Sequence, residues 1–248
     1  MSWQWFHKLS SPKSYFEITD WLLKPMFIGS LLLMVAGVYY GLFDSPKDYQ
    51  QGNSVRIMYL HVPTAIASMV GYVVMAVAAA VGYIWRIKLA PITAIAVAPV
   101  GAAMTFMALA TGSLWGKPTW GTWWVWDARL TSELILLFLY LGFMALHNAF
   151  EDRDTADRAA GVLAMVGVIN VPIIHYSVYW WNTLHQQDTI SVTGESLLPP
   201  EMKLPLMLMI FGVFFFCTAI SMYRIRNEVL EREPDKQWVR ERFSGVTN

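Results

Sequence analysis

The sequence predicts an all-α, polytopic membrane protein. It forms one domain over residues 1–248, with six transmembrane helices, both termini cytoplasmic and a short interfacial tryptophan-rich helix on the periplasmic side. Three observations predict this. Of 248 residues, 56% are hydrophobic and 15% charged, and the mean hydropathy is +0.40, too apolar for a soluble domain of ordinary composition. Six apolar runs, at 25–43, 62–85, 93–115, 130–150, 160–181 and 204–223, each approach the ~20 residues that carry a helix across about 30 Å of hydrocarbon. Of the 18 lysines and arginines, only Lys47, Arg56, Lys117, Arg129 and Lys203 lie in the loops opposite the termini, which places the termini in the cytoplasm under the positive-inside rule.

The segment before the first span is polar and aromatic and contains His7. It lacks a compact apolar region followed by a small-residue cleavage site, so the first span, 25–43, is expected to stay as an anchor. The loop 44–61 carries Arg56 and ends on His61, which opens the second span, 62–85. A short basic loop at 86–92 leads to the third span, 93–115. Next come the outward segment 116–129 and the fourth span, 130–150, with His147 near its cytoplasmic end. An acidic loop at 151–159 precedes the fifth span, 160–181, which contains His175. The loop 182–203 holds His185, and the sixth span, 204–223, contains Cys217. Prolines 63, 91, 99, 172 and 205 fall at or within the spans, where lipid-buried helices tolerate them better than soluble ones do. The tail from Arg224 to Asn248 mixes both charges and reads as a solvated helix extension with i,i+4 pairs.

Several chemistries are excluded. With one cysteine, the chain forms no intramolecular disulfide, no CxxC redox pair and no cysteine zinc cluster, and it lacks the CxxCH that attaches a c-type haem. There is no Walker A loop, because Thr111 replaces its first glycine and Pro118 its Ser or Thr. No nucleic-acid partner is expected; the membrane lipid is.

The densest feature is Trp115 to Asp127, which holds Trp115, Trp120, Trp123, Trp124 and Trp126, five of the 12 tryptophans. As a helix it would place Trp120, Trp123, Trp124 and Asp127 at i, i+3, i+4 and i+7, on one face. Such a flat indole surface ending in an acid suits a flat, partly polar ligand; an aromatic belt at the headgroups is the plain alternative. Among the histidines, His7 and His147 read as exposed or helix-end residues. His175 reads as a structural group between helices, with Tyr176 or Tyr179. His61 and His185 fall at matched depth beside the tryptophans, a placement that fits the two faces of a metallomacrocycle, since imidazole suits haem iron. Arg56 and Arg129 are candidates for the two haem carboxylates, or else interface anchors.

The run Trp120 to Glu133, WGTWWVWDARLTSE, resembles the tryptophan-rich (WWD) signature of haem-handling membrane proteins in cytochrome c biogenesis. Six spans without a large periplasmic domain, together with Tyr59-Leu-His61-Val-Pro and Asn182-Thr-Leu-His185-Gln, resemble the small members of that family, the haem-handling (haem exporter) protein C group of the bacterial cytochrome c maturation system. No motif position departs from the pattern. The resemblance implies a non-enzymatic delivery subunit of the bacterial inner membrane that holds haem b at the periplasmic surface. It assigns His61 and His185 as axial ligands and Trp120, Trp123, Trp124, Trp126 and Asp127 as the platform. It implies as partners a periplasmic haem chaperone, the ATPase and membrane subunits of an ABC transporter, and a small single-span subunit. Two other readings stand beside it: a bis-histidine electron-transfer cytochrome, which would most simply place its histidines inside facing helices, and a haem-free permease subunit.

Overall fold

The computed structural model describes residues 11–185 and 198–244. His7 and Lys8, part of the loop that follows His185 and the last four residues of the tail lie outside them. Among the described residues, six helical segments are long and apolar enough to cross a membrane: Pro12–Asp44, Asn53–Trp85, Leu89–Trp120, Ala128–Asn148, Arg153–Trp180 and Pro200–Arg232. Each contains or nearly contains one expected run and extends beyond it at one end or both, because polar and aromatic residues at the interfaces continue the helical hydrogen-bond ladder past the apolar stretch.

Helix α1, Pro12–Tyr39, starts on a proline whose missing N–H a first turn does not need, and it runs into a π turn at Tyr40–Asp44. A 3₁₀ turn at Asn53–Ile57 leads into α2, Met58–Trp85. Helix α3, Leu89–Trp120, has 61% of its most apolar window buried, against 17% for the first span, so α3 is the central post of the bundle. It packs on α2, on α4 (Ala128–Asn148) and on α7 (Pro200–Arg232), while α1 pairs chiefly with α7. Helices α1 and α7 approach closely through small residues. A Cβ on Gly37 would lie 2.7 Å from Met209 Cγ, and one on Gly212 would lie 2.7 Å from Met34 Cγ, a reciprocal glycine–methionine fit.

The fifth span is broken. Helix α5, Arg153–Gly167, ends before α6, Asn170–Trp180, because Pro172 cannot donate to the Val168 carbonyl and crowds it. Asn170 Nδ2 donates to the Ser132 carbonyl at 2.9 Å and ties the break to α4. The core joins α2, α3, α4, α5 and α6 around Tyr72, Leu136 and Tyr140, all fully buried. Tyr140 Oη donates to the Ser68 carbonyl at 2.8 Å. Ser68 Oγ in turn donates at 2.8 Å to Glu133, a buried acid inside the fourth span.

Three expectations are corrected. The tryptophan-rich segment forms no separate interfacial helix: α3 continues through Trp120, and residues 121–127 are non-helical. Gly121, at φ 80°, closes α3 by donating to the Lys117 carbonyl, and Asp127 starts α4. The tail is no simple solvated extension either. It does carry an i,i+4 pair, Glu228 with Arg232, but α7 ends before Pro234 and the chain returns as α8, Gln237–Phe243. There Trp238 meets the Phe16 ring edge-on at 5.2 Å and Arg242 pairs with Asp20 at 2.6 Å. His147 does sit at a helix end, but it is largely buried and lies 3.1 Å from Asp157.

Candidate functional site

The candidate site lies at the end of the bundle away from the described ends of the chain. His61 occupies the first turn of α2. Its Nδ1 is 3.0 Å from the Ala108 carbonyl and 3.1 Å from Thr111 Oγ1, both on α3. A carbonyl only accepts, so this contact sets Nδ1 as the protonated nitrogen and leaves the Nε2 lone pair free, the arrangement found in metal-bound histidines. Gly112 makes room for the ring, since a Cβ there would lie 3.0 Å from His61 Cε1.

His185 arrives from the other side of the chain, five residues past the end of α6. Its backbone N–H donates to Thr183 Oγ1 at 3.1 Å, and the Thr183 hydroxyl donates to Asp127 Oδ2. Asp127 Oδ1 accepts from Leu130 N at 2.8 Å and so caps α4. One carboxylate therefore fixes both the start of α4 and the turn that presents His185. Burial, aided by the positive charge of Arg129, pushes His185 down to about 3; the imidazole is neutral at physiological pH, the form in which it donates a lone pair to a metal.

The two imidazole centroids are 6.1 Å apart. A metal ion held between two imidazoles, with metal–nitrogen bonds of about 2 Å on each side and each ring nitrogen about 1 Å from its own centroid, would need the centroids about 6 Å apart. The pair fits that requirement. Trp115 flanks His61 at 5.6 Å, its Nε1 held by Gln51 Oε1 at 2.7 Å. Trp120 flanks His185 at 5.3 Å, its indole folded back over Gly116, where a Cβ would lie 3.0 Å from Trp120 Cε3.

The sequence-derived residues thus separate into two groups. His61, His185, Trp115 and Trp120 form one ring cluster, with Asp127 beneath it through Thr183. Trp123 and Trp126 are exposed, at 55% and 76%; Lys117 Nζ lies 5.9 Å from the Trp123 ring, and Trp126 meets Trp124 edge-on at 5.4 Å. Because residues 121–127 are not helical, the shared face expected for Trp120, Trp123, Trp124 and Asp127 is not formed.

Among the described residues, five buried side-chain atoms lack a hydrogen-bond partner, and four belong to candidate residues: Arg56 Nε, Trp124 Nε1, Arg129 Nη1 and His185 Nδ1. Buried polar atoms without partners are rare in proteins, and these four candidate residues are left able to meet polar groups of a ligand. Arg56 is otherwise anchored to the Ser45 carbonyl at 3.2 Å. Sequence reasoning missed Gln51, Thr111 and Thr183. Of these only Thr183 carried a local signal, a Ser/Thr turn two residues before a histidine; the others join the site through helix packing.

Comparison with known proteins gives a consistent result. The family model for heme exporter protein C matches residues 5–240. The heme exporter protein C of Escherichia coli (strain K12) is 51% identical over 239 residues, which cover 96% of each chain. That of Haemophilus influenzae is 48% identical over 239 residues, 96% of this chain and 97% of the relative. That of Rhodobacter capsulatus is 37% identical over 236 residues, 95% and 98% respectively.

Proposed function

The chain belongs to the heme exporter protein C family, and from that membership we propose that it serves cytochrome c maturation by holding haem b at the periplasmic membrane surface and handing it to a periplasmic haem chaperone. It acts as a delivery subunit and not as an enzyme. The observation that carries this reading is the approach of the His61 and His185 rings to 6.1 Å from two separate elements. His61 offers Nε2 because α3 occupies its other nitrogen, and His185 offers a neutral ring. Arg56 and Arg129 place unpartnered guanidinium nitrogens at the same end, which suits the two propionates. Trp115 and Trp120 wall the imidazoles and exclude water, while the exposed Trp123 and Trp126 border the side from which a partner approaches. Haem, when bound, supplies the iron that both imidazoles hold and the vinyl edge that the next protein takes up.

The thirteen lysines and arginines on the side of the termini, against five opposite, support a periplasmic position for this end. An ABC transporter with its ATPase, a second membrane subunit and a small single-span protein completes the assembly. An electron-transfer cytochrome is less well served: His175, the histidine well inside a span, packs edge-on against Tyr176 at 4.8 Å. The test is transfer. Full-length protein purified from haem-replete membranes should carry haem and lose it to added chaperone, with the chaperone gaining an equal amount. A haem-free preparation that loads the chaperone at the normal rate contradicts the reading.

A further inference from the structure

At the opposite end of the bundle lies a cavity of about 400 Å³, bounded by the end of α2, the start of α3, α5 and the end of α7. Its floor is apolar or small, with Ala79, Ala94, Ile95, Phe143 and Gly161. Three acids and four bases ring it, and most of these charges are already satisfied. Arg232 holds Asp157 at 2.7 Å, and His147 approaches the same carboxylate at 3.1 Å. Glu233 lies 3.8 Å from Lys88 and also accepts from Trp238 Nε1. Arg86 and Arg158 form no ion pair among the described residues; the acids left near them are Asp154 on the cavity rim and Asp152, whose carboxylate the Arg158 charge favours from outside the lining.

Arg86 is unusual in a second way. It stands at φ 53°, ψ 35° as the C-cap of α2 and is the one non-glycine residue with positive φ among the described residues. Glycine is favoured at such a position, so an arginine is kept there against the backbone preference. Trp85, just before it, is 66% exposed, and Tyr83 on the cavity wall is 53% exposed, as aromatic residues are at the hydrocarbon–water boundary. The cavity therefore combines an apolar floor, a position at that boundary and two unpaired guanidinium groups, the chemistry that binds an anionic headgroup between transmembrane helices.

We infer that this cavity is a binding site for an anionic phospholipid, whose phosphodiester is held by Arg86 and Arg158. The site is separate from the histidine site and does not depend on its function.

The test is native mass spectrometry of the full-length protein released from detergent, titrated with phosphatidylglycerol, phosphatidylcholine or inorganic phosphate. Wild type should retain one phosphatidylglycerol. The Arg86→Gly/Arg158→Ala pair should bind it roughly thirtyfold more weakly and each single variant about fivefold, as expected for the loss of arginine–headgroup attraction. Arg86→Gly suits the left-handed backbone, so the single variant retains the fold; an unchanged circular dichroism spectrum and melting temperature check this independently. Phosphatidylglycerol bound equally by wild type and the Arg86→Gly variant overturns the inference. So does equal retention of phosphatidylcholine. Displacement of the lipid by millimolar inorganic phosphate would mark a free-anion site and also overturn it.

Discussion

At the scale of single residues, the site depends on second partners as much as on the two imidazoles. Thr183 touches no haem in this account, yet its hydroxyl links the His185 turn to Asp127. Replacing Thr183 by Val should weaken haem retention about tenfold, the usual cost of losing an outer partner of a metal ligand. Its melting temperature should stay close to wild type, since the cap on α4 survives. Asp127→Ala removes the link and the cap together, so it should weaken retention similarly and also cost about 1 kcal/mol of stability. Equal haem content in wild type and Thr183→Val, measured by pyridine haemochrome, would assign His185 a position independent of Asp127. Gly112→Ala makes the complementary test on the other ligand. A Cβ 3.0 Å from His61 Cε1 must displace the ring, so haem content should fall while helicity by circular dichroism does not.

At the scale of elements, the helices meet where glycines admit large side chains. A Cβ on Gly101 would lie 2.2 Å from Tyr140 Oη, so Gly101→Ala should push Tyr140 off the Ser68 carbonyl and separate α3 from α4. The expected loss is about 2 kcal/mol from overpacking combined with a broken buried hydrogen bond. Tyr140→Phe, which breaks only the bond, should cost about 1 kcal/mol. Thermal denaturation in detergent orders the two variants; an equal loss would show that packing at Gly101 contributes nothing. The same scale explains what the sequence disclosed. Six spans were legible because each is a long apolar run that nothing in the intervening loops imitates. The interfacial tryptophan helix was misread because a helical pattern over Trp120–Asp127 has the right period, while Gly121 and Asp127 carry stronger signals, a left-handed cap and a helix start. The break between α5 and α6 follows from Pro172, but its position at Val168–Ile169 becomes clear only once the carbonyl four residues earlier is considered. The Gln51–Trp115 and His61–Ala108 contacts had no local signature, because they arise from the packing of α2 and the preceding turn against α3.

At the scale of the whole molecule, two ends of one bundle have different chemistry. One gathers His61, His185, tryptophans and unpartnered arginine nitrogens; the other gathers the described ends of the chain, an ion network around Asp157 and the arginine-lined cavity. The proposed orientation predicts that a cysteine placed at Tyr49 in a Cys217→Ser background reacts with an impermeant maleimide in intact spheroplasts, and that one placed at Ser244 reacts only after lysis. The reverse pattern would put the histidine site in the cytoplasm. The central claim is that His61 and His185 together hold one haem iron, and electron paramagnetic resonance of the oxidised full-length protein tests it most directly. Wild type is expected to give a low-spin, bis-imidazole signal that is lost in both His61→Ala and His185→Ala and restored in each by added free imidazole. An unchanged low-spin signal in both variants would contradict the claim.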